Sequence, residues 1–371
     1  MNVLLLIDDL LPGGIARHIA DISNALIVTD IKIFVSATPG KFLSKFNKDV
    51  PFYPINLLKE NSFEKNYFGI FSSYYRLVKL IKEEHIEIIH SHKRYSHLLG
   101  KLLAKQFKIP HITSYHSDIV GKNYLTVFGD QTICCSNAVK NLLIKKYGCK
   151  DDKSQTIYIG ISPFRTLTDS EKKKTLKKIG IEENKLIISS VSQFIPAKDK
   201  ETLLYSINEL RKIRDISNLV FVLLGYGKQK KYLENLVTNL KIKENVIFVD
   251  GIFDVESLMN ISEFMILTSI NEGFGIVLLE AASIGKIHIG TNVGGIPEFI
   301  NDNETGLLIE PKNPKQLAKS IAFLLDNPLE LLRMGSSAKM KYENEFTFEP
   351  MLNKIIKVYQ SIYANNIHIS G

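Results

Sequence analysis

Apolar residues along this chain gather into short strand-length runs, separated by longer stretches in which they recur every third or fourth position. The runs predict strands at residues 2–7, 31–36, 86–90, 111–115, 131–135 and 156–159. The spaced stretches between them predict helices at 14–26, 71–83, 95–106 and 138–147. Such alternation is the pattern of a parallel sheet covered by helices on both faces. It stops over about 162–182, a polar, lysine-rich stretch read as a linker that carries part of a surface helix. It then restarts, with strands at 186–191, 219–224, 246–249, 264–267, 286–289 and 307–309, and helices at 200–213, 228–240, 255–261, 276–284 and 314–325. An amphipathic helix is expected at 351–363. The reading is two successive doubly wound α/β domains. Ligands of such sheets bind beyond the carboxyl ends of the strands, here in a cleft between the two.

Composition narrows the class. A chain of 371 residues fits two domains, and 45% hydrophobic with 23% charged residues excludes a disordered chain. No apolar run approaches the ~20 residues that a membrane-spanning helix needs. The start lacks a basic segment and meets Asp8 and Asp9 at once, unlike a signal peptide. Three cysteines make no disulfide framework, and Cys134 and Cys135 read as small buried hydrophobes. A cytoplasmic protein is expected. The net charge of +8 is uneven: residues 1–165 hold 22 Lys and Arg against 14 Asp and Glu, and the remainder holds 25 of each. A basic half suits an anionic membrane, an anionic substrate or nucleic acid. Without a nucleic-acid motif the last is not an expected partner.

Four constellations can carry chemistry. The first is Glu272-Gly273-Phe274-Gly275, followed by Ile276, Val277 and Glu280, between a predicted strand and a predicted helix. The glycines allow a tight turn and close approach to a ligand. The helix start offers the N–H groups of Ile276 and Val277 to an anion such as a diphosphate. Glu280, one turn in, and Glu272, before the glycines, can each accept hydrogen bonds from sugar hydroxyls. The second is Gly13-Gly14 before the first helix, again a place for phosphate, and equally a plain turn. The third is His90, His92 and His116 at strand carboxyl ends. A metal reading of these three lacks a carboxylate or Cys at ligand spacing. The fourth is Ser192 to Lys198, including Gln193, just after the first strand of the second half, where Lys198 supplies a point charge for phosphate. No Asp-x-Asp pair and no Gly-x-x-x-x-Gly-Lys-Ser/Thr loop occurs, so metal and cofactor are both expected to be absent and phosphate charge falls to helix starts and lysine.

Together these residues resemble the retaining glycosyltransferases of the GT-B fold, family four, also described as glycosyl transferases group 1. The resemblance spans the chain and is strongest over Glu272–Gly275 through Glu280 and over Thr291-Asn292-Val293-Gly294-Gly295-Ile296-Pro297-Glu298. It implies two Rossmann-like domains facing a central cleft. Residues 1–163 would bind the acceptor, with helix 350–371 crossing back onto them, and 164–349 would bind the nucleotide sugar. It also implies roles: Gly14 near the donor's diphosphate, His116 at the sugar, Lys198 on the diphosphate, Glu272 on sugar hydroxyls and Glu280 on the ribose. His116, Glu272 and Lys198 would be catalytic; Gly13, Gly14, Gln193, Gly273, Phe274, Gly275, Ile276, Val277 and Glu280 would hold the donor. The family transfers a sugar without a metal and with retention, the leaving phosphate acting as base. Two positions depart from it: Gln193 stands where Arg is usual, and Ile159-Gly160 where Asn-Gly is usual. A nucleotide-sugar epimerase on the same fold and a non-catalytic partner subunit are the alternative readings.

The first half suggests where an acceptor comes from. Phe63, Tyr67, Phe68, Phe71, Tyr74 and Tyr75 precede Arg76, Lys79 and Lys82, and residues 98–108 alternate apolar and basic residues at helical spacing. Such faces suit an anionic membrane surface, although apolar residues at helical spacing also build cores. The expectation is a peripheral enzyme at the inner face of a bacterial-type membrane. It would move a sugar from a UDP-sugar to a lipid-linked glycan in surface polysaccharide synthesis.

Overall fold

A computed structural model of the chain describes residues 1–57, 67–117, 126–250 and 253–370. They form two compact units: Met1–Ile159 with Glu349–Gly371, and Gly160–Phe348.

The first unit holds β1 (Asn2–Asp9), β2 (Lys32–Thr38), β3 (Phe52–Pro54), β4 (Ile88–His92), β5 (His111–Tyr115), β6 (Gln131–Cys134) and β7 (Ser154–Thr156). They form one parallel sheet in the order β3-β2-β1-β4-β5-β6-β7. Central strands of such a sheet are covered on both faces, so they read as unbroken apolar runs; Val3 to Ile7 are all buried. The short β3 escapes a reading by runs, and its Pro54 is tolerated because the strand lies at the edge. Helices α1 (Gly14–Leu26), α2 (Tyr67–Glu83), α3 (Arg94–Phe107) and α4 (Asn137–Tyr147) connect the strands. The Ser136 hydroxyl accepts from Val139 N at the start of α4, and Gly148 ends that helix in the left-handed conformation. Cys134 and Cys135 are buried free thiols.

The second unit holds β8 (Leu186–Val191), β9 (Leu219–Gly225), β10 (Val246–Asp250), β11 (Phe264–Leu267), β12 (His288–Thr291) and β13 (Leu307–Ile309), parallel in the order β10-β9-β8-β11-β12-β13. Its helices are α5 (Asp169–Ile179), α6 (Lys200–Leu210), α7 (Lys230–Asn239), α8 (Val255–Ile261), α9 (Ile276–Ser283), α10 (Ile296–Phe299), α11 (Pro314–Asp326) and α12 (Pro328–Glu345). Helix α13 (Phe348–Ser370) then returns to the first unit, where the Tyr359 hydroxyl meets His90 Nδ1 at 2.7 Å.

Two segments differ from the sequence reading. The stretch 162–182, expected as a linker, is built into the second unit. Thr168 and Glu171 form a capping box that starts α5, and Leu176 and Ile179 pack with Ile181, Ile187 and Val222. Helix α12 is not expected from the sequence, because Gly335-Ser336-Ser337 interrupts its apolar spacing. Gly335 is there for contact: a Cβ would stand 2.3 Å from Gly285 O.

Both sheets reverse strand order beside their first strand, between β1 and β4 and between β8 and β11. Loops that leave these strand pairs frame a crevice in folds of this kind.

Candidate active site

In the second unit, the loop after β8 runs from Ser192 through a 3-10 turn at Pro196–Lys198, and the loop after β11 runs from Thr268 to Gly275. Their backbones are joined by Ile270 N to Ala197 O at 2.9 Å and by the Thr268 hydroxyl to Lys198 O at 3.1 Å. That union brings Lys198 Nζ to Glu272 Oε2 at 2.6 Å, with the side chains 20% and 13% exposed. The Ser269 hydroxyl donates to the same oxygen at 2.9 Å. Gly275 then takes φ 92°, in the left-handed region, and opens α9 without a side-chain cap. The N–H groups of Ile276 and Val277 therefore have no acceptor within the helix. Gly294, φ 53°, lies so close beneath the loop that a Cβ would stand 1.9 Å from Glu272 O. The glycine pair Gly294-Gly295 thus seats the backbone that carries Glu272, and Gly295 N donates to Glu272 O at 3.2 Å.

The other expected donor residues surround this pair. Gln193 Nε2 donates to the Tyr226 hydroxyl at 2.8 Å. Glu280 is buried on α9, in the turn after Ile276 and Val277. Ser192, which opens the stretch that holds Gln193 and Lys198, has its Oγ shielded and without a partner among the described residues. One neighbour escapes the sequence reading. Lys200 is 1% exposed at the first position of α6, with its Nζ on Ser190 Oγ at 2.5 Å. Burial, reinforced by Lys198 and opposed by Glu272, lowers its pKa to about 7. A lysine so soon after Lys198 reads as another surface charge in sequence; only the packing shows it to be inside.

The first unit builds its corresponding region mainly from neutral groups. Gly13 caps α1 and Gly14 begins it. β1 pairs with β4 so that Leu5 lies opposite His90 and Ile7 opposite His92. His116 directly follows β5, and its Nε2 meets His92 Nδ1 at 3.0 Å with the rings stacked. His18, from α1, stands edge-on to His116 with ring centres 5.4 Å apart. His90 is occupied on both nitrogens, by Tyr359 and by the Ser114 hydroxyl at 2.7 Å. His97 and His111 share the Ser91 hydroxyl. Burial holds His18 and His111 at about 4 and His90 at about 3; His92, His97 and His116 are pushed well below the ordinary value by burial and by each other. All six are neutral at physiological pH. Among the described residues no group of three or more His, Cys, Asp or Glu side chains is arranged to hold a metal. Nearby, Asp8 accepts from Ser96 N at 2.7 Å and from the Ser96 hydroxyl at 2.6 Å, and burial raises its pKa to about 6. Asp9 takes both its oxygens to Lys93 Nζ at 2.9 Å. His18, His97, Asp8 and Lys93 carry no motif of their own, and the fold alone assembles them.

Comparison with known proteins decides the family. Residues 171–341 match the family of glycosyl transferases group 1, and residues 12–165 match glycosyltransferase family 4. The chain is 30% identical over 302 residues to N-acetyl-alpha-D-glucosaminyl L-malate synthase of Bacillus anthracis, a match that covers 78% of this chain and 77% of that one. The chain belongs to the group 1 glycosyltransferases. A second relative of this transferase is the UDP-Gal:alpha-D-GlcNAc-diphosphoundecaprenol alpha-1,3-galactosyltransferase of Escherichia coli, 23% identical over 306 residues, 78% of this chain and 79% of that one. In fold the transferase matches Anabaena HepE, solved in complex with UDP-glucose, with a TM-score of 0.85 at 20% identity over 97% of this chain and all of that one. It is a GT-B enzyme with two Rossmann-like parallel sheets. Among its described residues no helix is long and apolar enough to cross a membrane.

Proposed function

We propose that this glycosyltransferase takes its sugar from a UDP-sugar, without a metal, and transfers it with retention to a lipid-linked glycan in the synthesis of a bacterial surface polysaccharide. The observation that carries the reading is the Lys198–Glu272 pair beside the uncapped start of α9, at the strand-order reversal of the second unit. Lys198 and the N–H groups of Ile276 and Val277 are suited to the negative charge that grows on a departing diphosphate. Glu272 suits sugar hydroxyls and Glu280 the ribose. Gln193 offers a neutral hydrogen bond where the family usually has a cation, about half as strong as a charged one. In the reaction the bond from the anomeric carbon to the diphosphate breaks and the acceptor oxygen bonds to the same face. The acceptor's proton goes to the leaving phosphate oxygen. The neutral His116 serves as a hydrogen-bonding group for a sugar, since its ring is held uncharged. HepE, solved with UDP-glucose, and the Escherichia coli relative, named for UDP-Gal, support uridine as the nucleoside.

A lipid-linked acceptor is favoured by the surface of the first unit. Phe68, Phe71 and Tyr75 on α2 are 91%, 66% and 61% exposed, beside exposed Lys79 and Lys82. On α3 the apolar stripe divides: Leu99, Leu103 and Ala104 are core, whereas Leu102 is 61% exposed among Lys101, Lys105 and Lys108. Exposed aromatic residues beside lysines suit a peripheral position on an anionic leaflet. Phe63 lies outside the described residues.

The test is a thermal-shift panel of UDP, GDP and ADP, followed by transfer with and without EDTA and NMR of the product. A midpoint raised by UDP alone, transfer unchanged by EDTA and a retained anomeric configuration support the reading. Inversion, or activity lost to EDTA and restored by magnesium, refutes the mechanism.

A further inference from the structure

The two side chains assigned to the donor already satisfy each other. Lys198 Nζ and Glu272 Oε2 are in contact at 2.6 Å, and Ser269 adds a hydrogen bond to the same oxygen. The contact is built in, because the two loops are tied next to it by Ile270 N to Ala197 O and by the Thr268 hydroxyl to Lys198 O. Both groups are largely sheltered, so separating them leaves two charges that need new partners.

Ligands differ in what they offer. A nucleoside diphosphate attracts Lys198 away but gives Glu272 nothing in return. Its terminal phosphate also places more negative charge beside a carboxylate left with Ser269 alone. An intact nucleotide sugar brings a diphosphate for Lys198 and hydroxyl donors for Glu272, so both halves of the pair are satisfied again.

We propose that the Lys198–Glu272 pair is a charge lock that discriminates the intact nucleotide sugar from the nucleoside diphosphate product. The lock rests on the reading above, that Lys198 meets the diphosphate and Glu272 the sugar. It yields to the substrate that supplies both partners and closes against the product that supplies one. Once the sugar has left, Glu272 loses its donors and draws Lys198 back, which speeds departure of the product.

The experiment is isothermal titration of the full chain with UDP and with a non-hydrolysable phosphonate analogue of the UDP-sugar, with GDP and ADP as further arms. The variants are Glu272→Gln and Lys198→Met. The unaltered enzyme is expected to bind the analogue more tightly than UDP by about tenfold, the size of one charge-assisted hydrogen bond. Glu272→Gln keeps the size of the side chain and removes its charge. It should tighten UDP by a similar factor of about ten, gain little for the analogue, and bring the two affinities together. Glu272→Asp, whose carboxylate is drawn back from Lys198, should shift UDP the same way and serves if the Gln variant does not fold. UDP bound no more tightly by Glu272→Gln or Glu272→Asp, while Lys198→Met weakens it, overturns the lock and leaves the donor site standing. UDP affinity indifferent to Lys198→Met overturns the donor site and the lock with it.

Discussion

The two units share a sheet plan and fill its strand-order reversal differently. The first unit surrounds β4 and β5 with six histidines, each held neutral by burial, beside an ion pair of Lys93 and Asp9. The second joins β8 and β11 through a lysine and a glutamate that keep their charges in contact. Neutral imidazoles can give and accept hydrogen bonds with hydroxyls and add no charge. A lysine beside an uncapped helix start can meet phosphate.

The contrast breaks most strongly in acid. His18 and His111 titrate at about 4 in the folded chain and near the ordinary value of 6.5 once unfolded. Between those values the unfolded chain binds more protons, so stability falls as pH drops from 6.5 toward 4. His18 alone contributes a loss on the order of 3 kcal/mol, at about 1.4 kcal/mol per pH unit. Asp8 works the other way: its folded value of about 6 exceeds the ordinary 3.8, so it returns some stability over that window. Burial raises Asp21 of the same unit as well, and six histidines outweigh the two carboxyls; the second unit holds one such histidine, His288, at about 3. Urea unfolding followed from pH 7.5 to 4.5 should show the first unit destabilised ahead of the second, and equal losses in both would contradict the difference.

Catalysis sharpens the comparison from the other side. Glu272→Ala should lower turnover about a hundredfold, the scale of losing one transition-state contact. Glu280→Ala should instead raise the donor KM about tenfold with a smaller change in turnover. Circular dichroism should show both folded; wild-type kinetics in both would remove them from the site. Lys200 provides a smaller, structural effect. Its folded value of about 7 lies below the ordinary 10.5, so the unfolded chain holds more protons between those limits and stability rises with pH across them. Below pH 7 the full cost of a buried ammonium remains. Lys200→Met leaves Ser190 Oγ donating to Ile266 O and should stabilise the chain at pH 6 by about 2 kcal/mol, with a flatter profile above pH 7. Unchanged unfolding at pH 6 would place the ammonium in water. Smallest is the surface effect: reversing Lys101, Lys105 or Lys108 to Glu should cost about 1 kcal/mol each in binding to anionic liposomes at low salt, with UDP binding unchanged. Equal binding to neutral and anionic vesicles would remove the membrane surface.

Much of the fold, and the strand-to-helix turn of the candidate site, is legible in the amino-acid sequence. Buried parallel strands leave unbroken apolar runs, so the two sheets can be read directly, and Glu272-Gly273-Phe274-Gly275 announces a turn into a helix start. What stays hidden depends on contacts distant in sequence. Helix α12 is masked by Gly335, whose purpose is visible only against Gly285. The histidine cluster needs α1, β4, α3 and β5 to converge, and no spacing links His18 to His116. Lys200 looks like its charged neighbours in sequence, yet its side chain is fully buried where theirs are only half-buried. The aromatic stretch of α2 and the stripe of α3 both read as surface. The fold leaves Phe68, Phe71 and Tyr75 of the first exposed, packs Tyr74 against the core and turns most of the second inward, because period alone does not say which face is covered.

The hydrogen bond between Tyr359 and His90 spans 269 residues of chain, and the first unit is assembled from 1–159 and 349–371 while the second is the continuous stretch 160–348. Synthesis on a ribosome therefore delivers the whole of the second unit before the last piece of the first. The nascent first unit must wait with a buried imidazole lacking its phenol partner and with the apolar positions that receive Met351 and Ile355 uncovered. Its completion follows that of the second unit, and a chain released before α13 emerges would present one finished unit and one open to aggregation or to a chaperone.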